Sequence, residues 1–88
     1  ITKLVNSNEI NIYPNPASNF ITLKYNISKN AKASLKLFDI YGRCIKIISL
    51  SSDIQILTTD VSEIISGMYF YKYIVDEKEL QIGKIIVN

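Results

Sequence analysis

The chain has 88 residues, a net charge of +2, nine lysines to one arginine, a single cysteine and no histidine. That length supports one domain with one modest core, burying about three-fifths of its unfolded surface. A chain without histidine has no serine triad, its lone Cys44 allows no internal disulfide and no zinc site, and scattered lysines make no nucleic-acid surface.

Residues Ile1 to Glu9 are mixed polar and small, with Asn6-Ser7-Asn8 in their midst, and read as a linker from an upstream domain. Because the first residue is Ile and not Met, the chain is expected to be a piece of a longer protein, with residues 10–88 as its carboxy-terminal module. Ile10 to Tyr13 reads as a short strand. Tyr13-Pro14-Asn15-Pro16 follows as a stiff kink, since each proline fixes φ and pushes the residue before it toward extended geometry. Phe20 to Tyr25 alternates cleanly, with Ile21, Leu23 and Tyr25 toward the core and Thr22 and Lys24 away from it. Asn26 to Lys32 is a polar break, in which Asn26-Ile27-Ser28 has the form of a glycosylation sequon.

Ala33 to Leu37 is the next strand, and Asp39-Ile40-Tyr41-Gly42-Arg43 a hairpin loop in which Asp39 caps the turn and Gly42 takes a positive φ. Cys44 to Leu50 returns, with Ile45 and Ile47 expected on the core face and Cys44 buried or half-buried. Ile54 to Thr59 is a further strand. The loop from Asp60 to Gly67 is expected to plug the end of the core with Val61 and Ile64 or Ile65. Met68 to Val75 is the most strand-like stretch, placing Tyr69, Tyr71, Tyr73 and Val75 on one face. That tyrosine row reads as an amphipathic border, with packed rings and hydroxyls in water, rather than as a sugar-stacking platform. Asp76-Glu77-Lys78-Glu79 forms a hairpin tip and Leu80 to Val87 the last strand. Seven short strands and no helical period predict an all-β fold, an antiparallel β-sandwich.

No residue in this pattern points to catalysis. The three glycines are too far apart for a phosphate loop, the carboxylates lack EF-hand spacing, and no apolar run approaches a membrane span. The chain is expected to be no enzyme, to bind no cofactor, metal or nucleic acid, and to expose an edge strand through which a homodimer can form.

Four segments in order carry a resemblance: Tyr13-Pro14-Asn15-Pro16; Leu37-Phe38-Asp39 with Tyr41-Gly42-Arg43; Ser66-Gly67-Met68-Tyr69; and Lys84-Ile85-Ile86-Val87. Together they resemble the type A C-terminal sorting domain of type IX secretion cargo, over about residues 11–88. The resemblance implies an immunoglobulin-like sandwich that acts as an address. The cargo crosses the inner membrane, passes through the periplasm, and is guided over the outer membrane to the surface or medium by the secretion machinery, with a surface sortase then removing the domain. Its sorting-motif residues are Tyr13, Pro14, Asn15, Pro16, Asp39, Gly42, Arg43, Gly67, Tyr69, Lys84, Ile85, Ile86 and Val87. Most are expected to serve the fold first, with recognition reserved for the last strand and Lys84, whose main-chain groups suit pairing with a receptor strand. The rival reading is a fibronectin-like or carbohydrate-binding accessory module of a secreted enzyme, since a sandwich alone does not settle function.

Overall fold

A computed structural model describes residues 9–88, so the linker expected over residues 1–9 lies, but for Glu9, outside the described residues. Seven strands form two antiparallel sheets: β1 (Ile10–Tyr13), β2 (Phe20–Tyr25), β3 (Ala33–Phe38), β4 (Cys44–Leu50), β5 (Ile56–Asp60), β6 (Gly67–Val75) and β7 (Lys78–Val87). The first sheet has the order β1-β2-β5 and the second β4-β3-β6-β7. The chain therefore changes sheet after β2, after β4 and after β5, which makes a sandwich and not two separate ribbons. No helix occurs among the described residues.

Alternation sets what is buried. Ile21, Leu23 and Tyr25 face inward from β2, and Leu35 and Leu37 from β3, all at the center of one core cluster with Tyr73, Ile85 and Val87. Val61 closes one end of that cluster, Ile64 is half-buried beside it, and Ile65 is exposed. Burying these side chains is the main stabilising term, at about 1.5–3 kcal/mol each.

Two expectations about β4 are corrected. Ile45 and Ile47 lie outside the core, Ile47 being 61% exposed, while Ile48 and Leu50 are buried. The cross-strand pairs explain this: Ile48 stands opposite the inward Leu35 and Leu50 opposite Ala33, which leaves Ile47 opposite Lys36 on the outer face. Residues paired directly across a ladder share a face. A bulge between Leu37 and Phe38 then sets Cys44 opposite Phe38, and Cys44 is exposed rather than buried or half-buried.

The tyrosine row is also drier than expected. Tyr73 is fully buried with an unpartnered hydroxyl, and Tyr69 is buried, so these rings form core and not a wet border. Burial, with the nearby Tyr25 as a smaller contributor, pushes the Tyr73 phenol above its ordinary pKa.

Candidate functional site

Strand register brings the four sequence segments together. Tyr13 lies opposite Thr22 near the start of β2, Phe20 opposite the last residue of β5, Phe38 opposite Phe70, and Gly67 opposite Val87. The connections 14–19, 39–43 and 61–66 and the end of β7 therefore gather at one pole of the sandwich. Ile10, where the described chain enters its first strand, pairs with Tyr25 at the opposite pole. The six residues of β2 separate the poles by about 20 Å at roughly 3.3 Å per residue.

The first and last segments are bonded to each other. The Asn15 side chain donates from Nδ2 to the Lys84 carbonyl and accepts at Oδ1 from the Ile86 amide, both at 2.9 Å. A primary amide carries one donor side and one acceptor side, so it stands in for a strand residue. Next to it the Ala17 amide donates to Ile86 O and the Asn88 amide to Ala17 O, each at 2.7 Å, closing a short parallel bridge between Ala17 and Val87. The two bonds preceding prolines, Tyr13–Pro14 and Asn15–Pro16, are both cis.

This arrangement changes the expected role of the last strand. The outward main-chain groups of Ile86 and the Lys84 carbonyl are already occupied by Asn15 and Ala17, so they are not offered to a receptor strand. Side chains alternate as the pleat requires: Ile85 and Val87 are buried, whereas Lys84 and Ile86 are exposed beside Phe70 and Met68. Of the last motif, then, only Lys84 and Ile86 present side chains to solvent.

Asp39 organises the β3–β4 hairpin. Its Oδ1 accepts from the Tyr41 and Arg43 amides and its Oδ2 from Arg43 Nε, at 2.9, 2.9 and 2.7 Å. The Gly42 amide donates to Asp39 O and the Asp39 amide to Arg43 O, a turn followed by one left-handed residue. Gly42 fills that position at φ +84°, where a Cβ is disfavoured. The Arg43 amide above all, then its side chain and the Tyr41 amide, hold the Asp39 carboxyl below its ordinary pKa despite partial desolvation. The Arg43 guanidinium lies 5.5 Å from the center of the Tyr41 ring.

The third segment anchors the connection from β5 to β6. The Tyr69 hydroxyl donates to the Ile65 carbonyl four residues back, the tyrosine corner found where an immunoglobulin-type sandwich enters this strand. Gly67, at φ +156°, supplies the backbone bend just before it. Asp60 caps the start of the loop by accepting from the Ser62 hydroxyl and amide, which lower its pKa.

Two residues absent from the sequence-based set complete the frame. Gln81 accepts from the Ile10 amide at Oε1 and donates from Nε2 to the Ile10 carbonyl and the Tyr71 hydroxyl. It thus stitches β7 to β1 as Asn15 stitches the β1–β2 connection to β7. Its signal was legible: Gln81 is a polar residue in phase with the inward Ile85 and Val87. Gly83 sits opposite Tyr71, whose ring would lie 2.5 Å from a Cβ built there.

These features define a small all-β module with its sequence motifs concentrated at one end and no cluster of metal-ligating side chains among the described residues. Residues 11–88 match the family described as the secretion system C-terminal sorting domain, and the chain belongs to that family. Its function is that of a sorting signal for type IX secretion. This implies a cargo upstream, an interaction with the type IX machinery, and a protein that passes the outer membrane. The accessory-module alternative is not favoured. No curated protein and no solved structure matches the chain.

Proposed function

We propose that the domain works as a folded, non-catalytic address, carried through the periplasm at the end of a linker over residues 1–9 and removed by a surface sortase once the cargo has crossed. The observation that carries this reading is the convergence of four segments spread over the sequence on one pole, opposite the entry of the chain. A module that is read and then removed needs a reading surface clear of its cargo and a cleavable stretch on the cargo side. Of the motif residues, Asn15, Asp39, Gly42, Gly67 and Tyr69 build the pole, while Arg43, Lys84 and Ile86 face outward from it. Pairing between two copies would use an outer strand such as β4 or β5, each paired to one neighbour only; at β4 the bulge and half-buried Lys46 discourage edge addition.

The test is to fuse the whole chain to a neutral periplasmic reporter in a type IX-competent bacterium. The reporter is expected at the surface or in the medium, and shortened there by the domain. Deleting residues 84–88 should hold it in the periplasm. Lys84→Ala and Ile86→Ser, both at exposed positions, should leave the thermal midpoint within a few degrees and separate reading of the strand from loss of the fold. Export that survives the five-residue deletion would reject the reading.

A further inference from the structure

The most exposed apolar side chains at the motif pole lie outside the core. Tyr41 is 78% exposed, Ile65 81% and Ile40 59%, all at loop tips on this pole. Beneath Tyr41, the Asp39 carboxylate and Gly42 fix the loop through four hydrogen bonds. A rigid loop that presents an unburied aromatic loses little entropy on binding. Tyr, Ile and Arg with few other charges is the composition of the center of a protein interface, not of its rim.

Arg43 adds direction. Its Nε is held by Asp39, its side chain is 75% exposed, and its Nη groups have no hydrogen-bond partner among the described residues. A guanidinium tethered on one side keeps a planar fork for a carboxylate on the other. Between Tyr41 and Ile65 runs a groove of about 440 Å³, also lined by Arg43, Ile45, Glu63 and Tyr69. The described chain enters its first strand at the opposite pole, away from this surface. An anionic lipid surface does not suit it, because one Arg beside Glu63 is not the cluster of cations such a surface attracts.

Resting on the function proposed above, we propose that the secretion apparatus grips the domain at Tyr41, Ile65 and Arg43, through a folded protein surface bearing an apolar pocket edged by a carboxylate. The test compares Tyr41→Ser/Ile65→Ser with Ile54→Ser/Ile56→Ser, a control pair of similarly apolar exposed residues toward the entry pole, in the reporter fusion. The first pair should lower surface reporter at least tenfold and the control less than twofold, with thermal midpoints of the purified chains unchanged. A photoreactive phenylalanine analogue in place of Tyr41 should cross-link to a type IX component. Equal export by the first pair, or equal loss in the control, overturns the inference while wild-type export still upholds the function. Cross-links mainly to a second copy of the chain or to lipid overturn it as well. Failure of the wild-type chain to export defeats both.

Discussion

At the entry pole the exposed residues are mostly polar: Lys29, Asn30, Lys32, Asp53, Asp76 and Glu77 surround turns closed by Ser52 donating to Lys29 O and by reciprocal bonds between Lys32 and Asp76. At the motif pole, side chains again close the turns, through Asn15, Asp39, Asp60 and Tyr69, yet large apolar residues are left in solvent around them. Both poles spend hydrogen bonds to stay ordered. At the entry pole Ile54 and Ile56 are 45% and 52% exposed, whereas at the motif pole Tyr41 and Ile65 reach 78% and 81%. The contrast teaches that a motif residue and a readable residue are different things: most motif residues are framework, and the surface they hold up includes positions such as Ile40 and Ile65 outside the quoted motifs.

The comparison breaks first at the glycines. Gly83→Val drives its side chain into the Tyr71 ring, which Gln81 holds in place. It is expected to cost about 2–3 kcal/mol, as overpacking does, and to lower the urea midpoint most of all the variants. Gly42→Val and Gly67→Val, at φ +84° and +156°, should cost about 1–3 kcal/mol each. Unchanged midpoints would mean that the pole is not held by these bends.

Asn15→Ala removes two bonds to the last strand and should cost about 1–2 kcal/mol. Gln81→Ala removes the matching stitch to Ile10 with a similar loss. If Asn15 is framework, export of the Asn15→Ala chain should fall only as far as that of Gln81→Ala at equal thermal midpoint. A deeper export defect for Asn15→Ala would move Asn15 from the framework to the reading surface.

Much of this frame was legible in the chain itself. Phe20 to Tyr25 and Ala33 to Leu37 alternate without ambiguity, and Gly42 was identifiable from its place after Asp39. The run Ile45-Lys46-Ile47-Ile48-Ser49-Leu50 was not, because it alternates in one phase up to Ile47 and in the other from Ile48. Only pairing with Leu35 and Ala33 decides between them. The pole could not be read either, since Asn15 and Lys84 are 69 residues apart and nothing local reports that contact. Gln81 was the recoverable omission, a polar residue in an inward phase.

A smaller effect belongs to acid. The Asp39 and Asp60 carboxyls titrate lower in the folded chain than in the unfolded one, so as pH falls the unfolded chain takes up these protons first. Their stabilisation is therefore complete above the unfolded value of about 4 and is lost as pH drops through the lowered folded values. The Asp39→Ala/Asp60→Ala chain should melt below wild type at pH 7, and the gap should narrow as pH falls below about 4. A gap that stays constant on acidification would show that these residues hold the pole by packing and not as carboxylates.

The smallest change lies at the entry pole and has the opposite sign. Asp76 and Glu77 connect β6 to β7 with φ +50° and +69°, and Val75 pairs directly with Lys78 across them. Two left-handed residues between paired strand ends make the mirror-image hairpin turn, for which Asp-Gly is a favoured sequence. Glu77 therefore sits where an L side chain is disfavoured. Asp76 recovers its cost, because its Oδ1 accepts from the Lys32 amide at 2.9 Å and its own amide donates to Lys32 O at 2.8 Å. Glu77→Gly should relieve strain, lose part of the gain to the greater freedom of unfolded glycine, and stabilise by about 0.5–1 kcal/mol. Asp76→Gly should instead destabilise, having lost the bond to Lys32. Differential scanning calorimetry of the two chains measures both signs. The Glu77→Gly chain then sharpens the contrast between poles, since it raises stability without touching the motif end. Export unchanged from wild type is the expected result, because the reading surface is unaltered; export that rises with the melting temperature would show that the machinery responds to the stability of the sandwich rather than to what one pole displays.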